Sequence, residues 1–498
     1  MSTLTTETGR EPVTSRRLRK ACVIYGLFSA CLLLLVAVIS PDKTALFTLM
    51  LLGTAGGYLL WQNPPWTTWV VFFLLYTNLP VVAVNYHGAP SFFPALTIGL
   101  LLWPLAHRFL VEKKKIQISN AFCSILLFAL VQLIGSLFSR YPTDSFDAFF
   151  SFLLEGLVLF LFVDNLIDDR KKVKKLLWTL AFSGLLMGGA PIIQQLSGNP
   201  NSEMSGLSQT DSEFKADNER SPSASYRQKR FSGTIGEQNR YAQFMVILLP
   251  ICISVLVLSK SRLQRWVAAA SVLCAGLGFA LAFSRGAAVG LMFAVIIGSW
   301  AGYLSIRQIR WLVLVSILIL LALPQYWTRL ASISRLLDTR AAASNSSDGA
   351  IRGRLTEMGA AALVFRDHMM IGVGPGVFRE YSKDYGQRIG IRSLKGRRQA
   401  HCMPLDIAAE NGLLGLLAFS SMLWILLRDL NRGFRLGTTR GDPEAEHACG
   451  AISLSLILFL TTSLFLHMSY IRYFWFLMAI GSSVARVYRP RNEEQAVN

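Results

Sequence analysis

The chain has 498 residues, 52% of them hydrophobic and 16% charged, with a formal net charge of +19 and a mean hydropathy of +0.43. A soluble globule cannot hide that much apolar surface; runs of roughly 17–25 apolar residues between short charged breaks mark an all-α polytopic membrane protein. A transmembrane β-barrel is excluded, because its strands would alternate apolar and polar residues over about ten positions.

The basic segment SRRLRK (15–20) leads into the apolar run Ala21–Ser40 without a small-residue cleavage site, so the first span is expected to be retained. About fourteen spans are predicted, near 21–40, 44–61, 66–85, 93–111, 119–138, 147–167, 176–196, 241–259, 266–283, 287–305, 311–326, 412–427, 447–466 and 469–487. Cations concentrate in alternate breaks: HRFLVEKKK (107–115), DDRKKVKK (168–175), SKSRLQR (259–265), SIRQIR (305–310), RDLNRGFR (428–435) and RVYRPR (486–491). The intervening breaks SPDK, NYHGAP and SRYPTDS carry few. Lys and Arg in short loops mark the cytoplasmic side, so both termini are predicted inside. The bilayer is thus the implied surroundings, and no nucleic-acid partner is expected. Asp164, near the cytoplasmic end of the sixth span, reads as interfacial, whereas Glu155 in the same span is an intramembrane carboxylate with no evident task.

Two outer loops are long, at 197–240 and 327–411, and long loops cross regardless of their charge. Five segments follow: an N-terminal transmembrane bundle (1–196), a periplasmic loop (197–240), central transmembrane helices (241–326), a larger periplasmic loop (327–411), and C-terminal helices with a cytoplasmic tail (412–498). The first loop opens on a polar stretch without periodicity, expected to be a flexible flap. The second carries thirteen Lys or Arg between Arg329 and Arg398. Within it, RLTEMGAAALVFRDH (354–368) sets Leu355, Met358, Ala362 and Phe365 at helical spacing, which predicts an amphipathic helix at the outer interface. The glycine-rich IGVGPGVF (371–378) should end it. That turn has no preceding strand, so it is not a nucleotide-binding fingerprint. The seven cysteines (22, 31, 123, 252, 274, 402 and 449) lie mostly inside apolar runs without paired spacing, so neither a disulfide framework nor a metal site is implied.

Several polar groups fall on the predicted outer face. Arg285 lies in LAFSRGAAVGL at the outer end of the ninth span, Arg354 opens the interfacial helix, and His401 precedes the twelfth span. Arg230 and Asn239 lie in RFSGTIGEQNRYAQ at the start of the eighth. Alone, each has a plain alternative: a snorkelling anchor, a headgroup contact, a solvated histidine. Small Ser284 and Gly286 beside Arg285 argue for close helix contact at that point.

Taken in order, RFSGTIGEQNRYAQ, SRGA, GRLTEMGAAALVFRDHMMIGVGPGVF and AHCMPLDIAAENGLLGL resemble the successive signatures of the O-antigen ligase/polymerase family, over roughly residues 225–430. The chain departs from them at Gln238, where Pro is usual, at Met358, where Trp is frequent, and at Cys402, where Asn is common. The resemblance implies a fold similar to GT-C-type glycosyltransferases. It also implies glycan transfer, at the periplasmic face of a bacterial inner membrane, from a polyprenyl-diphosphate-linked donor to a glycan or lipid A-core acceptor. Arg285, Arg354 and His401 are carried over as catalytic residues; Arg230, Asn239, Arg352, Gly374 and Glu410 are taken as substrate-binding residues of the same signatures. Two arginines suit a departing diphosphate without metal or cofactor, and a neutral histidine among cations suits a general base. A transporter of a small anion such as bicarbonate is the alternative reading; it would call for ionisable groups near the bilayer midplane.

Overall fold

A computed structural model describes residues 56–198, 203–210, 230–322, 346–391, 396–466 and 471–489. The chain divides into two compact units at Thr68. In the first, residues 56–62 are helical and the Thr67 hydroxyl donates to the Leu60 carbonyl at 3.1 Å. The rest of that unit lies outside the described residues, and with it the expected span 21–40 and most of 44–61.

The described residues of the second unit are mostly helical. In chain order its helices are α1 (Pro64–Thr77, which begins in the first unit), α2 (Leu79–His87), α3 (Phe93–Val111), α4 (Asn120–Leu137), α5 (Pro142–Leu166) and α6 (Arg170–Leu196). There follow α7 (Gln238–Leu258), α8 (Arg262–Leu281), α9 (Arg285–Trp300), α10 (Ile306–Ala322), α11 (Ser346–Asp367), α12 (Phe378–Ile389), α13 (Met403–Arg440), α14 (Pro443–Thr462) and α15 (Ile471–Val487). Among the described residues, eight helices are long and apolar enough to cross a membrane, or nine if the pair α1–α2, bent by 62°, is one span. The chain is therefore an all-α polytopic membrane protein.

Helices begin where the sequence offers caps. Side-chain oxygens of Ser119, Asp169, Ser261, Ser284 and Asp442 each accept from a backbone N–H in the first turn of the helix that follows. Each such cap contributes about 1 kcal/mol. The bundle is centred on aromatic packing: Trp475, fully buried, meets Phe152 edge-on at 5.1 Å, and Phe419 stacks on Phe474 at 5.4 Å. Large apolar side chains such as Trp300 and Leu110 stay exposed, as lipid-facing positions should.

Charge at the cation-rich end is neutralised locally. Asp168 pairs with Arg108, with Lys114 at 2.6 Å and with Lys172 at 2.6 Å. Burial alone would push the Asp168 carboxyl up, but these three cations outweigh it and hold it well below the usual carboxylate range. Asp164, expected to be merely interfacial, is instead buried and ion-paired with Arg486 at 2.9 Å. Sequence hydropathy could not show that pair, because its partner comes from α15. Glu155 lies in a π-helical turn, Leu153–Val158, inside α5.

Part of the expected flap is ordered. Gln209–Thr210 (β1) pairs antiparallel with Phe231–Gly233 (β2), and Tyr86 donates to Glu203 at 3.0 Å. The remainder, 199–202 and 211–229, lies outside the described residues.

Candidate active site

The described part of the second long loop, 346–391 and 396–411, folds into a small layer with its own core. Ala360, Ala361 and Val364 of α11 pack against Val373, Val377, Phe378, Tyr385, Ala400 and Ala409. The packed face of α11 is thus a small-residue face, with Thr356 and Glu357 buried beside the alanines. The stripe Leu355, Met358, Ala362 and Phe365 lies on the other side, with Leu355 half exposed. The helix also starts earlier than expected, at Ser346, so Arg354 sits in its third turn rather than opening it. At about 100° per residue, Arg352 and Arg354 leave opposite edges of the buried face.

The glycine-rich turn does a specific structural job. Helix α13 breaks at Gly412, whose φ of 64° and ψ of −164° lie outside helical space. The break frees backbone groups, and the turn takes them up. Val373 N–H donates to the Ala409 carbonyl at 3.1 Å, Gly374 N–H to the Glu410 carbonyl at 2.9 Å, and Leu413 N–H to the Met369 carbonyl at 2.7 Å. Gly374 has a φ of 104°, and a Cβ there would stand 2.7 Å from Ser145 Oγ, so no other residue fits. Glu410 in turn accepts from the Phe378 N–H at 3.2 Å, capping α12. The geometry joins Gly374 and Glu410 to each other, and Gly374 to the ends of α4 and α5, which gives both a packing role.

Many of the loop cations are likewise engaged. Arg379 meets Asp144 at 3.0 Å, Arg397 meets Glu380 at 3.0 Å, and Arg366 and Arg388 flank Asp367 at 3.0 and 3.4 Å. The pairs on Asp367 are solvent-exposed and add little to stability. Together, these ion pairs show that the cation-rich loop is not wholly available to an anionic ligand.

What remains forms a connected path. Arg230 donates to the Ala282 carbonyl at 3.0 Å and to Asn239 Oδ1 at 3.2 Å, and Ser284 Oγ donates to the same Asn239 oxygen at 2.9 Å. This network pins the break between α8 and α9, where Phe283 is held at a φ of 49°. Such a backbone costs a bulky residue roughly 1–2 kcal/mol, so the network must hold it. The consequence is the position of Arg285. It stands not at the end of α8 but at the first residue of α9, where the positive end of the helix dipole adds to its own charge. Arg285 and Arg354 lie within Coulombic range of each other.

One helical turn beyond Arg354 is Glu357, which sequence reasoning passed over. Its carboxylate, with the side chain 6% exposed, lies 2.8 Å from Nδ1 of His401. The same nitrogen is 3.2 Å from the Gln399 carbonyl. His401 itself has a φ of 48°, between buried Ala400 and buried Cys402. Burial pushes the Cys402 thiol up, so it stays protonated near neutrality. The acid in RLTEMG was visible in the sequence, but its partner lies in another segment and only folding joins them. Among the described residues, no three His, Cys, Asp or Glu side chains come together in a group that could hold a metal ion.

Compared with known families, residues 269–420 match the model described as O-antigen ligase. The matched stretch runs from α8 into α13, so it contains Arg285, Arg352, Arg354, Gly374, His401 and Glu410 and leaves Arg230 and Asn239 outside. A comparison with curated proteins finds no match.

Proposed function

We propose, from the O-antigen ligase-family domain that this membrane protein carries at residues 269–420, that the chain transfers a glycan from a polyprenyl-diphosphate carrier to a sugar hydroxyl. Membrane glycan transfer is the general activity of that family. The observation that supports the finer reading is that Arg285 lies within electrostatic reach of Arg354, which stands one helical turn from the Glu357 that contacts His401. Two such cations suit a diphosphate, which brings at least two negative charges.

As the bond from the anomeric carbon to the diphosphate breaks, negative charge grows on the leaving oxygens. Guanidinium groups at Arg285 and Arg354 would bind them in a planar fork, strongest when the charge is fully developed. His401 would take the proton from the acceptor hydroxyl as that oxygen attacks. Attack on the face opposite the leaving group inverts the anomeric carbon. The acceptor is a lipid A-core in a ligase and a second lipid-linked glycan in a polymerase. Arg230 and Asn239 act by fixing the α8–α9 break that carries Arg285. Anion transport is the less favoured reading, since the family domain points to glycan transfer.

Two measurements test this frame. Reporter fusions after Ser205 and Gly390 should score periplasmic and one after Arg435 cytoplasmic; a cytoplasmic score at Gly390 overturns the assignment of the active face. In this mechanism the arginines supply the positive charge, so transfer by the purified protein should persist in EDTA. Loss of turnover with chelator, restored by Mg²⁺ or Mn²⁺, would refute the metal-free step.

A further inference from the structure

The mechanism above leaves one buried acid unused. Glu357 sits on the packed face of α11, where a carboxylate among alanines is costly to bury without a partner. Its oxygen lies 2.8 Å from His401 Nδ1, and the Gln399 carbonyl oxygen is 3.2 Å from the same nitrogen. The Gln399 carbonyl can only accept, so Nδ1 carries a proton toward it, and the Glu357 carboxylate beside the same nitrogen favours that proton by its charge rather than by a well-aimed hydrogen bond. In the neutral ring Nε2 then holds the lone pair.

We propose that Glu357 is a positioning residue for His401, locking the imidazole in the tautomer whose Nε2 can act as base and stabilising the imidazolium once formed. This rests on the reading of His401 as general base. In the step itself, the acceptor O–H bond breaks and its proton passes to Nε2. The freed oxygen bonds to the anomeric carbon, and the bond to the diphosphate breaks, with its electron pair leaving on the phosphate oxygen. Glu357 keeps its charge throughout and balances the imidazolium across Nδ1–H. The left-handed backbone at His401 supports a fixed ring: the chain accepts a strained φ of 48° where buried neighbours on both sides anchor it. A glutamine at 357 could turn its NH₂ toward Nδ1, draw the proton to Nε2 and remove the base.

The experiment uses the full-length protein in lipid nanodiscs, with lipid-linked glycan extracted from cells lacking the protein as donor. Glu357→Gln should lower kcat about 100-fold or more, within the range seen when an orienting carboxylate becomes an amide, with donor KM unchanged. Glu357→Asp, which keeps the acceptor-only carboxylate but shortens its reach, should recover part of that loss and stay about tenfold slower than the native protein. Added to His401→Ala, Glu357→Gln should cost nothing further, because it acts only through the ring. An equal loss in the His401→Ala background would make Glu357 merely structural and overturn the proposal, as would full activity in Glu357→Gln. Should Glu357→Gln not fold, Glu357→Asp decides: about tenfold slower kcat at unchanged KM is expected of a displaced orienting group, and an unchanged kcat overturns the proposal. Full activity of His401→Ala alone is a separate outcome, which removes the general-base reading itself.

Discussion

His401→Ala is expected to slow glycan transfer by about 10²–10⁴-fold, the usual contribution of a positioned general base, while the protein still inserts and binds its donor. The histidine side chain is about a quarter exposed, and its Nδ1 lies beside Glu357 and the Gln399 carbonyl. The neighbouring Ala400 and Cys402 are buried and anchor the backbone on both sides. Cells carrying this variant should accumulate polyprenyl-diphosphate-linked glycan and lose the corresponding surface polysaccharide. If neither the lipid-linked pool nor the surface polymer changes, glycan transfer at this site is wrong; altered anion uptake instead would favour the transporter.

Arg285→Ala and Arg354→Ala should behave differently, losing donor binding as well as turnover. A hydrogen bond to a charged group contributes about 1.5–3 kcal/mol, so each substitution should weaken donor affinity roughly 10–100-fold. The two guanidinium groups are like charges within electrostatic reach, so either substitution should cost far more donor affinity than thermal stability. Arg→Lys should rescue poorly, since an ammonium cannot grip two oxygens in one plane. Melting curves and donor titrations on the same purified variants check both halves. A stability loss with unaltered donor affinity would reassign the pair to packing. Arg230 and Asn239 should give milder defects, because they reach the donor only by holding the Ala282–Ser284 break.

The membrane character and the candidate catalytic trio were legible in one dimension. Hydropathy runs and the order of the short signatures are local properties, set by side-chain solvation and chemistry within a few residues. Arg285, Arg354 and His401 could be named because each belongs to such a local signature. What those residues touch could not be read this way. Gly374 and Glu410 were named only as members of those signatures; their packing role emerges with the break at Gly412, where the turn supplies the partners that a broken helix needs. The loop cations looked like one positive field, yet Asp144, Glu380 and Asp367 neutralise several of them from other elements. Spacing put Leu355, Met358, Ala362 and Phe365 on one face of α11, but packing chose the opposite, small-residue face to bury. The contact between Glu357 and His401 is of the same kind. It joins two distant segments through a packed layer, and no periodicity or charge count within either segment encodes it, because the free energy that selects it belongs to the packing of α11 against α12 and α13.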